Sequence, residues 1–331
     1  MSDRHITNYQ EKLNEPCEFT VYSQNCQYDG PELEIRALWL ATMIKLKNAD
    51  VLCFQELSHA MICEIEKHGG FDAYPNRSTV PDMGYFTMMY SKETLPLKIV
   101  RYDFKCGTEM GRDYVVGTNA DLKICIRTSH CESLEKAGCR CDQLREMLVE
   151  TGNDGAWATY FVGDTNLTDF FVADQDFVSS GLASMGYVDA WQLIHPTNPN
   201  VMTRDPVDNP NAEGKAAGRF DRVFHNPKAI VSEISLVLSK GDASHSDLRI
   251  SDHWGLFFVI GSKHSAETLT KACTIIAEVS QVSKVGQAQH EIDARFIESL
   301  FELVKRTADA YNELMNLFKA PVPGLQMVAP M

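Results

Sequence analysis

The chain of 331 residues lacks several things, and each absence narrows what it can be. No stretch approaches the roughly 18 consecutive apolar residues a membrane helix needs, so a membrane protein is not expected. The opening MSDRHITNYQEKLNEPCEF has no apolar core, so it does not read as a secretory leader. Basic residues are in short supply, 31 Lys and Arg against 45 Asp and Glu, for a net charge of −14. Proteins that coat long duplexes carry the opposite balance, because phosphate neutralisation drives that binding. Any contact with nucleic acid is therefore expected to be local, through a small site or a bound cation. No period of 20–50 residues recurs, which excludes a solenoid. The ten cysteines form no small-scaffold framework and read as free thiols in a reducing compartment. Cys139 and Cys141, with Cys131 upstream, have no second Cys/His pair at zinc-finger spacing.

What is present is an ordinary globular composition, 44% hydrophobic and 23% charged, which excludes wholesale disorder. Short strand-like runs recur at Glu18–Ser23, Val51–Gln55, Tyr85–Tyr90, Leu122–Ser129, Ala158–Val162, Arg219–Phe224 and Trp254–Ile260. Helical periodicity lies between some of them. Leu33, Ala37, Leu40 and Ile44 share a face in Pro31–Lys47, as do Met61, Ile62 and Ile65 in Ser58–His68, and Leu144, Met147 and Leu148 in Ser133–Glu150. Interspersed strands and helices predict an α/β or α+β fold. The segment Thr197–Gly218, rich in Pro, Asn, Asp and Gly, reads as a long loop, either a wall of a site or a surface insertion. Three segments follow: a tail over 1–17, a main domain over 18–261 and a helical extension over 262–331. In the extension Ile297, Val304, Tyr311 and Phe318 recur every seven residues, with Leu300 and Leu314 between them. That face is expected either to pack on the main domain or to recruit a protein partner.

Polar residues of catalytic type follow or open nearly every strand-like run: Asn25, Glu56, His130, Asp164 with Asn166, Asp221, and Asp252 with His253. One acid at a strand end is usually a turn or cap. Six such places predict one mouth lined by Asn, Glu, Asp and His. That set suits a hard divalent cation and a phosphate, since carboxylates fill Mg²⁺ oxygen sites while His and Asn donate to phosphoryl oxygens.

The ordered set Asn25, Gln55-Glu56, Ser129-His130, Gly163-Asp164-Thr165-Asn166-Leu167, Arg219-Phe220-Asp221-Arg222 and Ser251-Asp252-His253-Trp254-Gly255-Leu256 resembles the endonuclease/exonuclease/phosphatase superfamily. Gly84-Tyr85-Phe86-Thr87 and Thr128-Ser129-His130-Cys131-Glu132-Ser133 extend the likeness to its tyrosyl-DNA phosphodiesterase branch. The resemblance implies a four-layer α/β sandwich, two stacked mixed β-sheets flanked by helices. It implies Mg²⁺, with Mn²⁺ as substitute, held by Glu56 with Asn25 and Asp252. Asp164 would activate water, Asn166, His130 and His253 would face the phosphate, Asp221 would hold His253, and Asn25 would orient the aspartate. Tyr85, Arg112 and Arg204 would line the substrate. The implied substrate is a single-stranded or frayed 5′ DNA end carrying a tyrosyl adduct, with a role in DNA repair and a nuclear or cytoplasmic location, and no membrane. Alternatives are another phosphodiester of RNA, a small molecule or a lipid headgroup, or a non-catalytic scaffold. Inositol 5-phosphatases carry Trp-Cys-Asp-Arg where this chain has Arg219-Phe220-Asp221-Arg222, and abasic-site nucleases read Leu-Asp-Tyr there. Three departures stand out: Gln27 replaces an acid, Thr168 replaces an arginine, and Arg204 replaces an aromatic. With Gln27 one negative charge is missing beside the expected cation.

Overall fold

The computed structural model describes residues 18–149, 157–238 and 248–262. The tail over 1–17 and the helical extension over 262–331 lie outside the described residues, apart from Ser262 itself.

Alternation sets the layers. In β1 (Phe19–Asn25), Val21 points into one apolar cluster and Tyr22 into another, as period-two side chains must. The same alternation runs through β2 (Val51–Leu57), β7 (Ile124–His130), β8 (Ala158–Asp164) and β10 (Asp221–His225). Val51, Cys53, Ile126, Val162 and Val223 go to the central cluster; Leu52, Phe54, Cys125, Phe161 and Phe224 go to the outer ones. The remaining strands are β3 (Asn76–Arg77), β4 (Phe86–Ser91), β5 (Lys98–Asp103), β6 (Asp113–Asn119), β9 (Val188–Asp189), β11 (Ala229–Val237) and β12 (Gly255–Ser262). They form two six-stranded sheets, ordered β11-β12-β1-β2-β4-β3 and β5-β6-β7-β8-β10-β9. Each sheet is mixed, with one parallel pair at its middle: β1 with β2, and β7 with β8.

Helices cover the outer faces. The first, α1 (Leu33–Lys47), buries Ala37, Leu40, Ala41 and Ile44 against Leu52, Met88 and Tyr90. It ends at Asn48, a left-handed residue whose N–H reaches the Ile44 carbonyl at 2.9 Å. The second, α2 (His59–Lys67), starts where Ser58 accepts the Met61 N–H at 3.2 Å. On the other sheet α3 (Ala137–Val149) buries Cys141, Leu144, Met147 and Leu148. The short α4 (Val172–Asp176) is tied to α3 by the fully buried Arg140–Asp174 pair at 2.6 Å. With α5 (Ala190–Ile194) leading into the long loop, the result is helix, sheet, sheet, helix: the expected four-layer sandwich.

All seven strand-like runs became strands, and five strands were not anticipated: β3, β5, β6, β9 and β11. Four of these are the sheet edges. Edge strands carry charge and irregularity that blur period-two patterning. Lys98, Arg101 and Asp103 do so in β5, and a register shift between Val231 and Glu233 does so in β11. In β6, Gly117 interrupts the run because a Cβ there would lie 2.5 Å from the Met89 sulfur.

The parallel pairs bring their C-terminal ends to one edge of the sandwich, where the antiparallel β10 and the loop entering β12 begin. Register places Asn25 opposite Gln55, His130 opposite Asp164, and Asp221 opposite Asp164. Gly163 makes that closeness possible. Its φ is 152°, and a Cβ on it would sit 2.3 Å from the Ser129 carbonyl oxygen. Gly163→Ala is expected to destabilise by about 2–4 kcal/mol through overlap and backbone strain. The melting temperature should fall by roughly 5–15 °C, and an unchanged thermal melt would contradict the close approach.

Candidate active site

Each strand end supplies one group. At the end of β2 the register slips from Phe54↔Met88 to Leu57↔Phe86, a bulge. Glu56 takes a left-handed φ of 53° there, and Asn166 takes one of 51° just after β8. Such conformations cost on the order of 1 kcal/mol or more for non-glycine residues. Here the turn brings the Glu56 carboxylate to Asn25 and the Tyr28 N–H, while the Asn166 amide reaches the Cys131 carbonyl.

Asp164 is the hub. Its Oδ1 accepts the Asn166 backbone N–H at 2.9 Å, and its Oδ2 accepts Asn25 Nδ2 at 2.9 Å. The same Asn25 amide reaches Glu56 Oε1 at 3.3 Å, while Asn25 Oδ1 accepts the Gln27 N–H at 2.9 Å. That double bonding fixes which way the amide faces: its NH₂ is turned to the carboxylates and its oxygen to the backbone. Glu56 Oε2 accepts the Tyr28 N–H at 3.2 Å. The Asn166 side-chain amide donates to the Cys131 carbonyl at 3.1 Å.

Two histidines flank Asp164 Oδ2, His130 Nε2 at 3.5 Å and His253 Nε2 at 3.9 Å. Their charge states differ. Burial, aided by the Arg112 charge, pushes His130 down to about 3 against the pull of Asp164. Arg112 Nη1 donates to His130 Nδ1 at 2.9 Å, which leaves the proton on Nε2, facing Asp164. In His253 burial again works downward, but Asp221 and Asp164 outweigh it and carry the imidazole up to about 10. Its Nδ1 donates to Asp221 Oδ2 at 2.7 Å. One neutral and one cationic imidazole therefore each present an Nε2–H beside the same carboxylate oxygen.

The charge balance bears on a cation. Glu56, Asp164 and Asp221 face a single imidazolium, with Arg112 one ring further back. Burial pushes the Glu56 carboxyl above its usual range; Asp164 and Asp252 add to the shift and His253 opposes it. Asp221 Oδ1 is buried and has no hydrogen-bond partner. Asp164 and Asp221 bring carboxylate oxygens within 4.8 Å of each other and of a His253 ring nitrogen. The uncompensated acids fit a divalent cation. Of the three residues expected to hold it, Glu56 offers a carboxylate to the cluster and Asn25 turns its NH₂ there. Asp252 is engaged by Arg204 at 2.9 Å and Lys215 at 3.0 Å. Those two and the His253 charge hold Asp252 below its usual range, against burial.

The expected substrate-lining residues separate into two walls. Tyr85 stacks on Tyr28, with ring centroids 4.1 Å apart, and the Arg112 guanidinium lies 5.3 Å from the Tyr85 ring. Tyr85 and Arg112, with Met83, Met110 and His130, line a cavity of about 110 Å³. Glu132 holds this wall by accepting Thr108 Oγ1, Glu109 N and Met110 N at 2.5, 2.6 and 2.9 Å. Arg204 stands on the other wall, in the long loop.

Sequence reasoning missed several supports. Gln24 Nε2 donates to the Asn25 and His253 carbonyls at 2.7 and 2.9 Å. The buried Arg36 donates to five carbonyls, those of Cys26, Gln27, Gly30, Pro31 and Ile250. It thereby ties the Asn25 turn to the loop carrying His253. The one arginine on the otherwise apolar face of α1 was the available signal. Gln27 accepts from Asn211 Nδ2 at 3.4 Å, which links it to the long loop.

Comparison with known proteins gives the same picture. The model of the endonuclease/exonuclease/phosphatase family matches residues 22–253. No curated protein matches the chain. A humanized D. rerio TDP2 carrying 14 mutations is similar at 26% identity and a TM-score of 0.62, over 74% of this chain and 99% of that one. D. rerio TDP2 complexed with a single-strand DNA product is similar at 25% identity and a TM-score of 0.61, over 74% and 100%. The Bacteroides thetaiotaomicron mannosyl-6-phosphatase Bt3783, at 16% identity and a TM-score of 0.56 over 73% and 99%, shares the fold. No helix among the described residues is long and apolar enough to cross a membrane. A match that spans every strand end of the mouth, on the same double-sheet frame, places the chain: it belongs to the endonuclease/exonuclease/phosphatase family.

Proposed function

We propose that this protein is a divalent-cation-dependent phosphodiesterase that hydrolyses 5′-phosphotyrosyl-DNA bonds, releasing tyrosine or a trapped peptide and leaving a 5′-phosphate. The observation that carries the reading is the pair of imidazole N–H groups, 3.5 and 3.9 Å from Asp164 Oδ2. A carboxylate so placed can take a proton from water while both donors face the phosphoryl oxygens that gain charge. Asn25 and the Asn166 backbone hold Asp164 in position, Asp221 keeps His253 protonated, and Arg112 keeps His130 in its Nε2–H form. Glu56 would hold the cation, with Mg²⁺ the expected ion, which would supply further positive charge to the transition state. A tyrosine leaving group, pKa about 10, needs little help from a general acid. The TDP2 neighbours, one with a single-strand DNA product, support the choice of substrate. The Tyr28–Tyr85 face offers stacking for an unpaired base. The shortage of basic residues favours a short strand over a duplex interior.

The test is hydrolysis of a 5′-phosphotyrosyl oligonucleotide, single-stranded and blunt, with and without Mg²⁺. A nitrophenyl phosphodiester, abasic DNA, RNA and inositol phosphates serve as competitors. Preferential cleavage of the phosphotyrosyl single strand is expected; a larger kcat/KM on any competitor overturns the reading. Glu56→Ala should abolish activity at ordinary Mg²⁺ and weaken Mg²⁺ binding by at least tenfold in calorimetry. Wild-type Mg²⁺ affinity in the variant would remove Glu56 from the cation site.

A further inference from the structure

The long loop holds a cation that sequence motifs did not single out. Lys215 follows Gly214, whose φ is 71°, and its Nζ reaches Asp252 Oδ2 at 3.0 Å. Arg204 Nη2 reaches the same oxygen at 2.9 Å, and its guanidinium lies 5.8 Å from the Phe220 ring. The other oxygen, Oδ1, accepts the Ser251 hydroxyl at 3.3 Å. Two cations thus share one carboxylate, leaving one positive charge over at the rim of an otherwise acidic protein. Both keep some solvent exposure, 20% for Arg204 and 35% for Lys215. Asp252 directly precedes His253, so this charge stands beside the group that faces the scissile phosphate.

The loop is fastened rather than free. Thr203 and Arg204 pair with Gly218 through backbone bonds, and Trp254 N–H donates to the Thr203 carbonyl at 2.7 Å. Asn209 Nδ2 donates to the Ser251 carbonyl at 2.9 Å, and Asn211 Nδ2 to the Arg249 carbonyl at 3.0 Å. The two cations are therefore held in place before any ligand arrives, which lowers the ordering cost of binding.

We propose that Arg204 and Lys215, gathered on Asp252, form a subsite for the internucleotide phosphate next to the scissile one. The substrate is then a strand of at least two nucleotides rather than a mononucleotide ester. This rests on the phosphodiesterase reading above. An arginine and a lysine sharing one acid can each turn a remaining N–H toward a phosphate while keeping the acid neutralised.

The experiment measures binding of 5′-phosphorylated tri-thymidylate to the full chain with Mg²⁺ present, by calorimetry. The comparison ligand carries an uncharged methylphosphonate in place of the first internucleotide phosphate. The wild type is expected to prefer the charged ligand by about tenfold, and Lys215→Ala to reduce that preference to about threefold or less. Lys215→Arg should keep it. The log–log salt slope should fall by about 0.7 in Lys215→Ala, the share of one single-strand phosphate contact. Equal wild-type affinity for the two ligands overturns the subsite, and that arm involves no variant that could misfold. A full preference retained in Lys215→Ala overturns the role of Lys215. Hydrolysis of the phosphotyrosyl substrate is scored separately. Phosphate preference without hydrolysis would leave the subsite standing and remove the reaction; hydrolysis without preference would do the reverse.

Discussion

Asp164→Asn is expected to lower kcat by about 10³–10⁴ on a 5′-phosphotyrosyl oligonucleotide, with KM changed by less than about threefold. Loss of a positioned base alone accounts for roughly 10²–10⁴. The amide also disturbs its neighbours. With Oδ1 kept toward the Asn166 N–H, the new NH₂ would face Asn25 Nδ2, which now donates to Oδ2 at 2.9 Å. Two donors would then oppose each other, and Asn25 would lose its bridge to the base. Stability should move little, because removing one charge from a cluster that also holds Glu56 and Asp221 relieves repulsion as it costs that bond. Active-site acids that crowd each other serve the reaction rather than the fold. The decisive pair of measurements is kcat at saturating substrate and the melting temperature. A variant that melts like the wild type and keeps more than a tenth of its kcat would remove Asp164 from the chemistry.

How much of this was legible in the sequence depended on where each residue sits. Central strands buried on both faces, such as β7 and β8, announced themselves as apolar runs ending in His130 and Asp164. Edge strands did not, because their outward edges carry charge and bulges. Residues that face the mouth were visible because polar side chains directly after an apolar run are conspicuous. Residues that act through backbone carbonyls left no such mark. Gln24 stands one residue before Asn25, and only the fold shows that it braces the His253 loop. Lys215 looked like one more charge in a polar loop, and its partner Asp252 lies 37 residues away. The walls beside the mouth were half visible. Tyr85 belongs to a motif, whereas Tyr28, its stacking partner, comes from a turn whose geometry depends on Gln27 at a φ of 52°.

Asp221→Asn tests the other half of the site. The carboxylate accepts from His253 Nδ1 at 2.7 Å and is the largest of the influences that raise the imidazole, offsetting burial. Thr203 Oγ1 accepts the Phe220 and Asp221 N–H groups, both at 3.0 Å, so the backbone at this position stays fixed when the side chain changes. An asparagine fits the same space without the charge. Burial then dominates, and the His253 pKa falls. In the wild type the imidazolium and its Nε2–H donor persist up to the raised value near 10. In the variant that donor form is lost as pH rises through a lower pKa. At neutral pH kcat should drop by up to about 10²–10³, the loss expected for the missing donor. The sign is specific: the drop should be smallest in acid and grow toward alkaline pH, moving the upper limb of the kcat profile downward in pH. His253→Ala removes the donor at every pH and should lose about 10²–10³ with no such shift. A uniform loss across pH in Asp221→Asn would mean that Asp221 orients His253 without setting its charge.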